Sequence, residues 1–147
     1  MNTPVATLLG RKGSAVHTVT PSQTVADAVR VMNEKKIGSL VIVEGRRLAG
    51  IFTERDVLSR VVAAGVDPRT TRVSAVMSVR LETIGPETTI GDVMSIFTNK
   101  RCRHLPVVAD GELLGLISIG DVSRWLVDTH QAECEQLRQY IAGGYPT

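Results

Sequence analysis

Aromatic side chains are scarce in this chain of 147 residues, which contains two phenylalanines, two tyrosines and one tryptophan. Proteins that hold single-stranded nucleic acid usually stack the bases on several aromatic rings, so a binding platform of that kind is not expected. The formal net charge is only +2, and the basic residues are spread along the chain rather than gathered in one run. Neither feature favours nucleic acid as a partner.

Cysteine is also rare. Cys102 and Cys134 lie far apart and show no Cys-x-x-Cys or cysteine–histidine spacing, which argues against a disulfide framework and against a metal site. No apolar run approaches the roughly twenty residues that cross a bilayer, so no membrane partner is expected. The cytoplasm is the expected compartment. A short organellar transit peptide is the alternative, because Asp27 is the first acidic residue and Arg11 and Lys12 precede it.

Apolar spacing predicts a short helix that begins near Pro4 and is closed by Gly10. An extended piece follows from Val16 to Val19, and Thr24 then caps a second helix that stops near Lys35, where a cation suits the helix dipole. Together these elements open a unit of mixed α/β (α+β) class.

The β-branched run Leu40 to Val43 is typical of a buried strand, and a turn leads from it into a second strand, Leu48 to Phe52. Asp56 is predicted to open a further helix that ends at Gly65. The buried side of that helix is expected to carry Val57, Leu58, Val61 and Val62.

The pattern then restarts, and the second half aligns with the first at a shift of 65 residues, without a gap between Thr18 and Val57. The identical pairs include Thr18/Thr83, Thr24/Thr89, Leu40/Leu105, Gly50/Gly115 and Asp56/Asp121. We therefore predict two copies of one strand, helix, hairpin, helix unit that pack against each other, since one copy alone buries little. The expected segments are an N-terminal helix and loop (1–15), the two units (16–75 and 76–135) and the end of the last helix with a tail (136–147).

The last helix, predicted from Asp121 to about Ala142, is longer than its counterpart in the first unit and has an apolar stripe. A long amphipathic helix of this kind favours docking along a neighbour, and a symmetric dimer is the commonest arrangement. The stripe consists of Val122, Trp125, Leu126, Thr129, Leu137, Tyr140 and Ile141.

One signature occurs in both copies: glycine, two apolar residues, a hydroxyl residue, two variable residues and aspartate. The hydroxyl residues are Thr53 and Ser118, and the aspartates are Asp56 and Asp121. A carboxylate at the start of a helix can accept hydrogen bonds from the two vicinal hydroxyls of a ribose. It can equally be a helix N-cap worth about 1 kcal/mol, and spacing alone leaves both interpretations open.

The two signatures, read with Thr53-Glu54-Arg55-Asp56, Ser118-Ile119-Gly120-Asp121 and Arg103-His104-Leu105-Pro106-Val107, resemble the CBS domain, named for cystathionine β-synthase. The resemblance extends from about Val16 to Leu126. The motifs are similar to those of small stand-alone CBS-pair proteins of bacteria and plant organelles. It implies two units packed around a pseudo-twofold axis with two clefts between them, and modules that pair into a homodimer.

The resemblance also implies a ligand, which would be AMP, another adenine nucleotide or NAD(H), and an as yet unidentified protein that the module regulates. The aspartates would hold the ribose, the hydroxyl residues would lie at the ribose or phosphate, and the residues entering each hairpin would line the adenine or phosphate side. The residues implied are Thr18, Ile37, Gly38, Ser39, Thr53, Arg55, Asp56, Arg103, His104, Pro106, Ser118, Gly120 and Asp121.

The two copies differ at positions that would face a ligand. Arg55 can form a fork on a phosphate, whereas its counterpart Gly120 cannot. Ser39 is likewise replaced by His104 in the second copy. We therefore expect two unequal clefts, one of which accepts a larger or more phosphorylated nucleotide.

No catalytic residues, catalytic cofactor or metal are expected, because the sequence offers no nucleophile with a base and no phosphate-binding glycine loop. The leading hypothesis is a non-catalytic nucleotide sensor. The alternatives are a weak hydrolase and an interaction module with vestigial clefts. Cys102 also has two interpretations: a thiol whose pKa is lowered by basic neighbours, or a small apolar residue at a cleft wall.

Overall fold

The computed structural model describes residues 2–13 and 16–144. In chain order its elements are α1 (Val5–Lys12), β1 (Thr18–Val19), α2 (Val25–Lys35), β2 (Ser39–Glu44), β3 (Arg47–Thr53), α3 (Glu54–Asp56) running on as a π-helical segment (Val57–Val62), a 3₁₀ turn (Val73–Ala75), α4 (Ile90–Lys100), β4 (His104–Ala109), β5 (Glu112–Ser118) and α5 (Ile119–Gly144).

The five strands form one sheet in the order β1-β2-β3-β5-β4. Two antiparallel hairpins, β2 with β3 and β4 with β5, meet where Arg47 pairs with Glu112. Both hairpins shift register at equivalent places, between Ile42 and Val43 and between Val107 and Val108. The mixed α/β class and the pair of related hairpin units are therefore confirmed.

Each unit has its own apolar core, and the first strand of its hairpin, β2 or β4, is buried on both faces. In the first unit Leu40, Val41 and Ile42 are fully buried, as are Leu105 and Val107 in the second. Phe52 fills the first core and Phe97 closes the second. The run of β-branched residues thus forms the buried strand that its composition predicts.

Two leading segments, α1 before the first unit and residues 66–82 before the second, exchange places. Helix α1 packs in the core of the second unit, through Val5, Leu8 and Leu9. Residues 66–82, the connecting segment, pack in the core of the first unit, through Val73 and Val76. The two units are therefore joined by buried apolar contacts as well as by the pairing of β3 with β5.

Backbone pairing shows that the exchange follows the pseudo-twofold relation. Pro4 forms a bridge with Thr89, and Arg72 forms the equivalent bridge with Thr24. The two helix caps that receive these bridges are themselves equivalent, since each threonine hydroxyl accepts a hydrogen bond from an aspartate N–H three residues later. The predicted N-caps of α2 and α4 are thus confirmed.

Two local predictions were wrong. Helix α1 continues through Gly10 to Lys12 and ends at Gly13, whose φ of 92° suits glycine, because the buried leucines outweigh the roughly 1 kcal/mol cost of a helical glycine. Leu58 and Val62 are 67% and 68% exposed rather than buried. Their segment is π-helical, and its wider turns rotate these side chains away from the core.

The first two turns of the final helix pack on the second core. Val122 is buried, and Trp125 and Leu126 are partly buried against the same core. Thr129 is half-buried. The predicted stripe positions Leu137, Tyr140 and Ile141 lie outside the side chains that the structure describes, and so the docking role of this helix stays a prediction. The proposed domain boundaries also stay predictions.

Candidate functional site

The repeated signature forms a reciprocal hydrogen-bonded turn in both units. In the first, Thr53 Oγ1 accepts from Asp56 N at 3.2 Å, and Asp56 Oδ2 accepts from Thr53 N at 3.0 Å. In the second, the same pair of bonds joins Ser118 and Asp121 at 3.1 and 2.9 Å. The N-cap is therefore the hydroxyl residue, and the aspartate is its partner three residues later, which corrects the interpretation of the aspartates as N-caps.

The turns are tied to the start of each hairpin. Glu54 N donates to Gly38 O, and the equivalent Ile119 N donates to Arg103 O, both at 3.0 Å. The residues that enter β2 and β4 therefore lie beside the two turns. The sequence analysis had placed both groups of residues in one predicted site. At Gly38 a Cβ atom would lie 3.2 Å from Glu54 Oε1, so the glycine leaves room for that carboxylate.

The connecting segment covers the carboxylate of the first turn. Ser78 Oγ donates to Asp56 Oδ1 at 3.3 Å, and Arg60 Nε lies 3.7 Å from the same oxygen. Two backbone hydrogen bonds between Ile51 and Ser78, at 3.0 and 2.8 Å, hold the segment there. Gly50 permits this approach, because a Cβ would meet Met77 Sδ at 2.7 Å and Ser78 O at 2.9 Å.

The carboxylate of the second turn accepts a hydrogen bond from a charged donor, where that of the first accepts one from the Ser78 hydroxyl. Lys12 Nζ, at the end of α1, lies 2.5 Å from Asp121 Oδ2 and 2.6 Å from Leu116 O. Burial by itself raises the pKa of Asp121, but the hydrogen bonds from Lys12 and Ser118 and the Lys12 charge outweigh burial and hold that pKa below its usual value.

A cleft of about 1040 Å³ opens between the first turn and the hairpin entry of the second unit. It brings together residues that are far apart in the chain, so only the tertiary fold creates it. Seven of the predicted site residues line it: Gly38, Thr53, Arg55, Asp56, Arg103, His104 and Pro106. We call this the first cleft.

The first cleft is also lined by residues that the sequence analysis did not assign to a site. The connecting segment and the end of α4 contribute Ser78, Arg80, Leu81, Glu82, Lys100 and Arg101. Others, from β3, α3 and the π-helical segment, are Ile51, Glu54, Leu58 and Ser59. The connecting segment is equivalent to α1 in the repeat, because the two leading segments exchange. This equivalence could have identified its residues as part of the cleft, but it is apparent only once the exchange is known.

The first cleft carries an excess of positive charge. Five cationic side chains line it against three carboxylates, those of Glu54, Asp56 and Glu82. The Nζ atom of Lys100 lies 3.8 Å from Glu82 Oε1. The other four cations are guanidinium groups, and none of them forms an ion pair with a side chain that the structure describes. They belong to Arg55, Arg80, Arg101 and Arg103.

His104 connects the first cleft with the second turn. It lines the cleft and pairs in the sheet with Ser118. Burial is the main cause that lowers its pKa; Lys12 and Arg103 act in the same direction, while Asp121 and Glu54 oppose them. A His104 pKa below the usual value near 6.5 leaves the imidazole neutral at pH 7.

Cys102 lines the same cleft. Burial is the main cause that raises the pKa of its thiol, and Glu82 adds to the rise. A raised pKa does not favour the alternative of a thiol activated by its basic neighbours. The interpretation of Cys102 as a small side chain at a cleft wall fits its position.

The remaining predicted site residues lie elsewhere. Thr18 is exposed in β1, and Ser39, which is 7% exposed, pairs with Thr53. Ile37 lines a smaller apolar pocket of about 320 Å³ beside α2. The others, Ser118, Gly120 and Asp121, belong to the second turn. The structure thus separates the predicted residues into groups, and their ligand-binding roles stay predictions.

Between residues 2–13 and 16–144, no three or more His, Cys, Asp or Glu side chains are placed to hold a metal ion. Within that same part of the chain, no helix is both long and apolar enough to cross a membrane.

Comparison with known proteins places this geometry in context. A family model described as "CBS domain" matches residues 1–63 and 73–128. The chain is 41% identical over 131 residues to the CBS domain-containing protein CBSX3, mitochondrial, of Arabidopsis thaliana, covering 86% of this chain and 64% of that protein. It therefore spans somewhat less than two thirds of that relative's length.

Solved structures show the same fold. A putative signal-transduction protein with CBS domains from Burkholderia ambifaria has a TM-score of 0.80 at 39% identity, and the match covers 86% of this chain and 95% of that one. A hexameric CBS-CP12 protein from bloom-forming cyanobacteria has a TM-score of 0.71 at 31% identity, covering 98% and 90% of the two chains.

Proposed function

This chain belongs to the CBS-domain family, whose paired domains are generally regulatory and ligand-binding, and we propose on that premise that it is a non-catalytic sensor of adenine nucleotides. The proposed ligand is AMP, ATP or another adenine nucleotide, with NAD(H) as a further candidate. Its occupancy of the first cleft would bias the interaction of the module with a partner protein. A cytoplasmic site of action is part of the proposal, although the Arabidopsis relative is named as mitochondrial.

The observation that carries the proposal is that one cleft contains both a buried carboxylate and guanidinium groups that form no ion pair with a described residue. Asp56 and Ser78 offer an acceptor and a hydroxyl at one end, where a ribose can replace the weak 3.3 Å contact between them. Arg55 and Arg103 line the same cleft and offer forked donors to phosphate.

The apolar part of the lining suits a base. Ile51, Leu58, Leu81 and Pro106 share the cleft with the polar groups, and a flat heterocycle buried between such side chains gains the usual free energy of apolar contact. Leu58 is 67% exposed, and covering it would explain an otherwise unfavourable apolar surface. Base, ribose and phosphate therefore each have complementary groups in one cleft.

Because four guanidinium groups lack ion-pair partners there, we expect ATP to bind more tightly than AMP, by about tenfold in dissociation constant at low salt. Calorimetric titration of both nucleotides at two salt concentrations measures this. Arg103→Gln should reduce ATP affinity more than AMP affinity, and the matched Arg124→Gln, at an exposed position of α5, should change neither. Chromatography of the nucleotides after prolonged incubation should show them intact.

Absence of binding for every adenine nucleotide at millimolar concentration would overturn the nucleotide-sensor function, and hydrolysis of ATP would overturn its non-catalytic character. Equal affinities for AMP and ATP would show instead that the guanidinium groups do not face the phosphates. Thermal unfolding with each nucleotide gives an independent readout, since a ligand of the native state raises the melting temperature.

Self-association is a second candidate property, favoured by apolar residues at equivalent exposed positions. Val62 after the first turn and Val127 after the second are 68% and 54% exposed. A second copy could cover both positions with one symmetric contact. The cyanobacterial structure is described as hexameric, and here we propose a homodimer.

The double variant Val62→Glu/Val127→Glu should then convert a dimer into a monomer, because it buries two carboxylates in the proposed contact. Light-scattering mass after size-exclusion chromatography measures the change. The matched variant Val79→Glu alters a residue that is 64% exposed but lies outside the proposed contact, and it should leave the mass unchanged. An unaltered mass in the double variant would rule out this interface.

A further inference from the structure

Lys12 is placed at the second turn by the crossover of the leading segments. A Cβ atom on Gly115 would lie 2.8 Å from Leu9 Cδ2, just as one on Gly50 would meet Met77 Sδ at 2.7 Å. Leu9 and Met77 are therefore equivalent. Counting three residues onward from each, Lys12 is the equivalent of Arg80, which lines the first cleft.

The equivalent cations behave differently. Arg80 forms no ion pair with any described residue, whereas Lys12 donates to both Asp121 Oδ2 and Leu116 O. The side chain of Asp121 is 18% exposed and that of Lys12 is 32% exposed. Partial shielding from water strengthens a charge-assisted hydrogen bond relative to a fully solvated one.

The two aspartates therefore offer different access to a ribose. Asp56 Oδ2 accepts from Thr53 N, and the neutral Ser78 hydroxyl lies 3.3 and 3.5 Å from the two carboxylate oxygens. Arg60 Nε lies 3.7 Å from Oδ1, and the Ser78 hydroxyl can rotate away, which leaves acceptor capacity on both oxygens. Asp121 Oδ2 instead accepts from both Ser118 N and the Lys12 ammonium. Two vicinal hydroxyls that bind one to each oxygen need acceptor capacity on both, and Oδ2 of Asp121 has none left while Lys12 is in place.

The position of Lys12 is secured by its helix. Val5, Leu8 and Leu9 on the same helix are buried in the second core, so the backbone that carries Lys12 is anchored and only its side chain can withdraw. The second turn also has Gly120 where the first has Arg55, and so it offers no guanidinium that could compensate by binding phosphate.

We infer that Lys12 closes the second ribose position, so that each chain binds one nucleotide, in the first cleft. Lys12 is in this sense a specificity-determining residue: it decides which of two related sites accepts ligand. The inference rests on the proposed function, because it concerns where the nucleotide of that function binds.

Calorimetry with ATP tests it in a background that lacks the first site. The Asp56→Ala chain should bind ATP about a hundredfold more weakly than the unaltered chain, because Lys12 covers the remaining aspartate. Adding Lys12→Gln should restore binding of one ATP per chain, with an affinity gain of about tenfold or more. Adding Asp121→Ala as well should abolish it. Lys12→Met, which keeps the side-chain methylenes, is the second variant should glutamine perturb the helix end.

Arg11→Gln is the matched control, because it removes one charge from the adjacent exposed position of α1. In the Asp56→Ala background it should restore nothing. An independent readout needs no nucleotide: the pKa of the Asp121 carboxyl, followed by NMR in otherwise unaltered protein, should rise with Lys12→Gln and stay constant with Arg11→Gln.

The outcomes separate the two ideas. If the unaltered chain binds ATP and the Asp56→Ala background binds it equally with and without Lys12→Gln, the closure by Lys12 is overturned while nucleotide binding stands. Weaker binding after Lys12→Gln would also overturn the closure, since Lys12 would then contact the ligand. If no variant and no unaltered chain binds ATP, both proposals fail together.

Discussion

Asp56→Ala is expected to weaken nucleotide binding to the unaltered chain about a hundredfold. In the proposed function this carboxylate is the acceptor for ribose in the first cleft, and hydrogen bonds to a charged group that is 6% exposed contribute about 1.5–3 kcal/mol each. A loss of about 3 kcal/mol in binding free energy corresponds to that factor. Calorimetric titration with ATP gives the dissociation constant directly.

The same substitution also removes one half of the reciprocal turn, and so it lowers the free energy of unfolding by about 1 kcal/mol. Asp56→Asn separates the two effects. Its amide oxygen can still accept from Thr53 N, which keeps the turn, but the amide cannot accept from two ribose hydroxyls as a carboxylate does. Affinity should therefore fall in Asp56→Asn with little loss of stability.

Asp92→Ala is the matched control, because Asp92 also lies in the first turn of a helix but is exposed and outside the first cleft. It should leave ATP affinity unchanged. Nucleotide binding that survives Asp56→Ala at full strength would contradict the assignment of ribose to this carboxylate, even if binding itself is confirmed.

Gly50→Ala is expected to destabilise the protein by about 2–3 kcal/mol, the upper range for added volume in a close-packed region. The new Cβ would lie 2.9 Å from the carbonyl oxygen of Ser78. That oxygen is backbone and is fixed by its hydrogen bond to Ile51 N at 3.0 Å. The connecting segment must therefore move, and Ser78 would withdraw from Asp56. Urea unfolding monitored by circular dichroism measures the loss.

Gly115→Ala is its natural comparison, since the two glycines are equivalent in the repeat. Its Cβ would meet Leu9 Cδ2 at 2.8 Å, the far end of a side chain that can change rotamer. The expected loss is about 1 kcal/mol or less, because relief of the contact is inexpensive and alanine lowers the entropy of the unfolded chain. Equal losses for the two variants would contradict this account of the first turn.

Sequence reasoning succeeded where the signal is local. The β-branched run beginning at Leu40 formed a strand buried on both faces, and Thr24 and Thr89 cap helices as their positions predicted. Such features depend on side-chain periodicity and on hydrogen bonds within a few residues. The 65-residue register likewise identified two units of one design before any coordinates were considered.

It failed where neighbours in space decide. Leu58 and Val62 have apolar helical spacing, yet the π-helical segment turns them outward. Asp56 and Asp121 are not the N-caps that one interpretation made them, because each is the partner of Thr53 or Ser118 in a reciprocal turn. The ligand role of the two aspartates stays a prediction.

The sequence by itself determined the repeated unit, its mixed α/β class and the two equivalent turns that begin α3 and α5, because periodicity and short-range hydrogen bonding are written in consecutive residues. Only the tertiary structure decided that the leading segments exchange, so that Lys12 reaches Asp121 and Ser78 reaches Asp56. The physical reason is that a carboxylate's partners depend on which distant segment packs over it. That choice is made by burial of Leu9 and Val73 in opposite cores.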